Sequence, residues 1–193
     1  MRQIPTIPTY VEQTGGKMPK LRKTLGTADS PYIVSLMHLI ETQSKVTIAS
    51  WCLDYAETHI LPIFEKHCPG DNRPRHALSA SHDWFEGKKK LAEVRNIILH
   101  ECHAAARELD NNPAAQAAAR ACGQASACFH TPTHSLGLAF YGAAAIAYDR
   151  VGVNEAPEVY DQIAAEECAK MEAALLAVAV ENEPNPAKIN WHC

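Results

Sequence analysis

The sequence has no Cys-x-x-Cys pair, no Gly-x-Ser-x-Gly elbow, no glycine-rich fingerprint and no apolar run of the roughly 18 residues a membrane span needs. Each absence removes a class of protein. The cysteines, at positions 52, 68, 102, 122, 128, 168 and 193, are odd in number, which fits reduced thiols better than a closed disulfide framework. Cys122 and Cys128 lack the basic or helix-start setting that lowers a thiol pKa, so nucleophilic catalysis has no support. The nine glycines are dispersed among helix ends, whereas a phosphate cradle gathers several into one strand-to-helix turn. A basic footprint is missing too: the net charge is −4 with histidine neutral, which argues against a nucleic-acid surface. The N-terminal segment carries basic residues but no apolar stretch of signal-peptide length, so a cytoplasmic protein without membrane association is expected. No cofactor is implied, and the oligomeric state is left open.

What the sequence does have is alanine and helical periodicity. Of its residues 47% are hydrophobic, an ordinary share, but alanine supplies an unusual part of it and favours helices that approach closely. Ser30-Pro31, Asn112-Pro113 and Thr131-Pro132 pair a capping residue with a proline, whose missing N–H is no loss in a first turn. These signals predict helices from Ser30 to about Gln43, from Asn112 to Cys128 and from Pro132 to Arg150. Ala49, Cys52, Leu53, Ala56, Ile60, Ile63 and Phe64 share one face of another, in which Pro62 predicts a kink or break after Thr58. Further helices are expected over 74–86, closed by Gly87, and over 91–109, with Leu91, Val94, Ile98, Cys102, Ala105 and Leu109 on its buried stripe. Asn154 caps a last long helix. The reading is an all-α, single-domain bundle of about six or seven helices, with the 132–150 helix, apolar nearly all round, at its centre. Residues 1–29 read as an extended arm, 30–181 as the helical domain and 182–193 as a polar, proline-broken tail.

Two polar groups stand out. His100 and His103 lie three apart on one predicted helix, and His130 and His134 lie four apart across the Thr-Pro bend, spacings at which imidazoles can converge on zinc. The helical wheel turns His100 and Arg107 away from the Ile98 stripe and puts His103 on the face of Arg95, Leu99 and Ala106. His103 and His134 are therefore expected to be partly buried, where histidine more often makes a structural hydrogen bond than binds metal. The second group is Arg73 and Arg75, flanking Pro74 at a helix start. It could attract an anion, but pairing with carboxylates such as Glu65 and Asp83 is the simpler expectation.

The order SWCLDYAETHILPIFEKHCPGDNRPRHAL, DWFEGKK, HAAAREL and AARACGQASACFHTPTHSLGLAFYGAAAIAY resembles the Imm-5-like immunity protein family over about residues 45–150. The resemblance implies a small cytoplasmic protein that binds a cognate bacterial toxin domain and blocks it. Carried over with it, without catalytic assignment, are Arg73, Pro74, Arg75, Trp84, Gly87, His103, Arg107, Gln124, His130 and His134. His59, His67, His76 and several cysteines are additions to that frame. Two readings follow: a binding protein with Arg73, Arg75, His103, Arg107, His130 and His134 as its candidate polar cluster, or a metal-dependent protein or enzyme that uses His103, His130 and His134 as ligands. A third keeps the imidazoles as an internal polar network that fixes helix register.

Overall fold

Prolines open most of the helices. The computed structural model describes residues 21–191, and among these the chain forms seven continuous helices and no strand. Helix α1 is Pro31–Glu41, α2 runs over residues 45–67, α3 is Arg73–Phe85 and α4 runs over 91–107. Helices α5, α6 and α7 are Pro113–Ala127, His134–Val151 and Pro157–Val178. Asn112 caps α5 as its sequence signal requires, its side-chain oxygen accepting from the N–H of Ala115 at 3.2 Å. Gly87 and Gly152 follow α3 and α6 at φ of 73° and 74°, a left-handed backbone that glycine adopts without strain. Among the described residues no helix is long and apolar enough to cross a membrane.

Pro62 does not break its helix. The chain widens instead into a π-turn over Ala56–Ile60, in which the N–H of Leu61 reaches back five residues to the carbonyl of Ala56. The wider turn accommodates the proline's missing donor, and the helix resumes over Leu61–His67. A second π-turn, Ile98–Cys102, interrupts α4, with the N–H of His103 bonded to the carbonyl of Ile98. No proline or glycine announces this one.

The centre is built from small side chains. Helix α6 takes the central place read from its sequence, and α5 shares it: the two form the most extensive helix pair, and α5 also touches α2, α3 and α4. Eleven of the fifteen residues of α5 are buried, most of them alanine, and Ala143, Ala144, Ala145 and Ala147 answer them from α6. Around this pair sit the larger apolar groups, among them Leu36, Ile48, Phe64, Leu78 and Leu138, all fully buried. Each contributes roughly 1.5–3 kcal/mol by leaving water. Helix α7 packs on α1, α2 and α6 and closes the other side.

Both flanks return to the body. Leu25 is buried and its N–H bonds the carbonyl of Phe140 at 3.2 Å, while the hydroxyl of Tyr148 donates to the carbonyl of Arg22. Gln43, itself buried, holds the C-terminal segment: its side-chain oxygen accepts from the N–H of Val180 at 2.7 Å and its carbonyl from the N–H of Ala187 at 2.8 Å. Residues 1–20 of the expected arm, and 192–193 with Cys193, lie outside the described residues.

Candidate functional site

Three elements deliver the histidines to one place. His103 follows the π-turn of α4, His130 lies in the bend after α5, and His134 opens α6. Together with Arg95, Ile98, Leu99 and Ala127 they line a cavity of about 180 Å³. The rings of His130 and His134 are 5.9 Å apart, and Phe129, Trp84 and Phe85 continue from His130 as a run of aromatic contacts. Leu99, at the cavity's edge, is half exposed. Arg95, Leu99 and His103 share this wall, as the helical wheel expected of them.

Gln124 and two glycines shape the interior. His134 donates through Nδ1 to the side-chain oxygen of Gln124 at 2.7 Å, which fixes the proton on that nitrogen while the ring is neutral. A Cβ at Gly123 would lie 2.5 Å from Cε1 and 2.9 Å from Nδ1 of His103, so only glycine at 123 leaves room for that imidazole. In the same way, a Cβ at Gly137 would come within 2.6 Å of the Cδ and Cγ atoms of Gln124. Helices α5 and α6 each omit a side chain where a site residue needs the space.

The electrostatics of the cavity have one sign. Burial lowers the pKa of His103, and the positive charges of Arg120 and Arg107 and the nearby His134 lower it further. His130 is lowered by burial, His134 and Arg95, and His134 by burial. Arg120 also places its guanidinium 5.9 Å from the centre of the Tyr141 ring. The Nε of Arg120 and the Nδ1 of His130 are buried without a hydrogen-bond partner.

The cavity's three imidazoles are not grouped as metal ligands. Among the described residues no group of three or more His, Cys, Asp or Glu side chains is placed to hold a metal ion, and this includes His103, His130 and His134, the set that spacing alone offered. His134 spends Nδ1 on an amide oxygen, and no carboxylate lines the pocket.

The other expected residues are engaged elsewhere. Arg73 pairs with Asp71 and Glu108, each at 2.7 Å, tying the loop before α3 to the end of α4; the pKa of Asp71 is lowered as a result. Arg75 pairs with Glu65 at 2.6 Å, as anticipated, whereas Asp83 pairs with Lys89 at 3.3 Å and not with an arginine. Arg107 is exposed and acts on His103 through its charge. His67 and His76 contact Asp149 and Glu101, and His59 lies against the ring of Tyr55. A larger groove of about 580 Å³ has Tyr55, His59, Arg150, Glu167 and Lys170 on its walls, but its charges are spent on one another: buried Glu167 binds Arg150 at 2.6 Å and Lys170 at 2.7 Å.

The family model described as "Imm-5 like putative immunity protein" matches residues 38–174. The chain belongs to this family. The match extends beyond the 45–150 read from the residues and takes in every side chain around the cavity. No curated protein and no solved structure matches the chain. Residue patterns of this Imm-5-like chain pointed to Arg95, His103, His130 and His134 but passed over Arg120, Gly123 and Gly137. The signal was faint: Arg120 is the one charged residue in the alanine-rich run of α5, and Gly123 interrupts that run where no turn needs it.

Proposed function

We propose that this protein binds a cognate bacterial toxin domain in the cytoplasm and neutralises it. The observation that carries the reading is membership of the immunity family over residues 38–174. The surface at the histidine cavity supports it, because Leu99 and Arg95 are exposed there and Trp84 and Phe85 lie partly exposed beside it. Aromatic and arginine side chains beside a small pocket are the composition from which binding hot spots are made. A binder of this kind needs no catalytic constellation.

The test has two stages. The protein is used as bait in extracts of the source organism, and each captured protein is then expressed in a heterologous bacterium with and without it. Growth arrest by a captured partner that is relieved on co-expression establishes neutralisation. Partners that are harmless, or whose toxicity is unchanged by co-expression, refute it.

A further inference from the structure

Among the described residues the arginines divide into two sets. Arg22, Arg73, Arg75 and Arg150 are each ion-paired with an aspartate or glutamate of the chain. Arg95, Arg107 and Arg120 form no ion pair among the described residues, and these are the three whose charges bear on His103 and His130. Of these three, Arg95 lines the cavity, while Arg107 and Arg120 act on His103 from outside it. Its lining of Arg95, His103 and His130, with His134 on a further side, contains no carboxylate, and the remainder, Ile98, Leu99 and Ala127, is apolar. His130, in the lining, has its Nδ1 buried without a hydrogen-bond partner. A buried nitrogen without a partner is held at a cost, and an anion seated between His130 and Arg95 supplies the missing partner.

The geometry points to this cavity as a receptor for a carboxylate group, borne by an aspartate or glutamate side chain of the protein partner. That the carboxylate comes from a partner rests on the functional reading above; the receptor itself does not. The volume of about 180 Å³ is several times the roughly 30 Å³ that one water occupies in the liquid, room for a carboxylate and a short methylene stem. Ile98, Leu99 and Ala127 suit the stem, and Arg95 at the mouth can meet the two oxygens with parallel N–H groups. The Gln124 bond and the space left by Gly123 and Gly137 hold the imidazoles of His134 and His103 in place before the anion arrives. A carboxylate there favours the charged imidazoles and so opposes the effect of Arg95, Arg107, Arg120 and the neighbouring rings on their protonation.

The receptor is tested on the full chain by following the Cε1–H signals of His103, His130 and His134 at constant ionic strength. Glutarate and acetate are the probes, with inorganic phosphate and acetamide beside them. Expected are saturable shifts of these three residues with the carboxylates, at about millimolar dissociation constants, and an upward move of their titration midpoints. Arg95→Gln, at an exposed position, weakens the binding about tenfold, while Lys45→Gln, exposed at the start of α2, does not change it. Equal shifts with acetamide, shifts with phosphate alone, or no saturable shift each overturn the carboxylate receptor. If glutarate binds but neither glutarate nor Arg95→Gln weakens capture of the neutralised toxin, the receptor stands and the partner's side chain is not its occupant.

Discussion

The imidazole of His103 occupies the space in which a side chain at residue 123 would begin. The cavity therefore depends on a residue that contributes no functional group to it. Alanine at 123 would gain about 1 kcal/mol of helix propensity. It would also force the ring aside in a packed interior, where overpacking costs about 1–3 kcal/mol. The net effect of Gly123→Ala is expected to be a loss of stability. Adding His103→Ala should restore part of it, so that the double variant is more stable than Gly123→Ala alone. Urea denaturation of the four proteins in this cycle decides the matter; additive effects would show that the two residues do not compete for space.

Stability should fall as the solution is acidified below neutrality. The three cavity histidines have folded-state pKa values below the ordinary 6.5, so the unfolded chain binds more protons than the native one in that range. Their contribution is complete above pH 6.5 or so and is lost progressively as pH drops through the folded values. Denaturation midpoints between about pH 7.5 and 5 should decrease, with NMR titration of the three rings giving midpoints under about 6.5. Rings that titrate above that value would reverse the sign and the conclusion.

Gln124→Glu should turn the neutral contact at His134 into an ion pair. A carboxylate 2.7 Å from Nδ1 favours the imidazolium, so the His134 pKa should rise relative to the parent protein. Once that value passes the ordinary 6.5, the sign of its linkage reverses: the added stability is present at low pH and disappears as pH rises through the new folded value. Gln124→Leu, which removes the acceptor, should cost about 1 kcal/mol. An unchanged His134 midpoint in the glutamate variant would mean that this hydrogen bond does not form in solution.

Glu167 is 3% exposed and relies on two cations. Arg150→Ala removes one of them and is expected to destabilise the protein by about 1.5–3 kcal/mol, the worth of a hydrogen bond to a charged group. Lys170→Ala should cost less, because Lys170 is largely exposed and Glu167 keeps Arg150. Thermal melts of the two variants rank them; equal losses would contradict the geometry.

Thiol labelling should discriminate sharply among the cysteines. Cys52, Cys102, Cys122, Cys128 and Cys168 are buried, whereas Cys68 is partly exposed. Burial pushes Cys102 and Cys168 up to about 12 and raises Cys52 and Cys122 as well, which removes the reactive thiolate. In a Cys193→Ser background, brief treatment of native protein with N-ethylmaleimide should give one adduct, at Cys68, and denatured protein six. Rapid labelling of Cys52 or Cys128, whose sulfurs lie 3.2 Å apart in the interior, would reveal local opening of α2 against α5.

The helices were legible because their signals are local. Ser30-Pro31 and Asn112-Pro113 specify starts through chemistry confined to one turn, and Gly87 and Gly152 specify stops in the same way. Pro62 was legible as a disturbance but not as its outcome, since the neighbouring turn decides whether a helix breaks or widens. The π-turn in α4 left no mark at all. For the cavity, spacing singled out the histidines, and the wheel put Arg95, Leu99 and His103 together. The roles of Arg120, Gly123 and Gly137 depend on which helices adjoin, and that is set by packing across long sequence separations, which no local pattern encodes. Arg73 and Arg75 show the reverse: a conspicuous motif whose charges the fold spends on Asp71, Glu108 and Glu65.

The π-turn of α4 fits one extra residue into the helix while keeping Arg95 and His103 on one face. A π-turn holds one residue more than the α-turn it replaces, and each residue of an α-helix advances the direction of its side chains by about 100°. Deleting a single residue from 98–102 would thus close the turn to a regular α-helix with Arg95 and His103 in about their present register. Keeping every residue but drawing the turn in to α-geometry would instead swing His103 by about 100° relative to Arg95, and the two would no longer face one space. Sequences aligned to this one should be compared first by length between Arg95 and His103, since a one-residue gap there is absorbed by the turn and does not by itself remove the cavity.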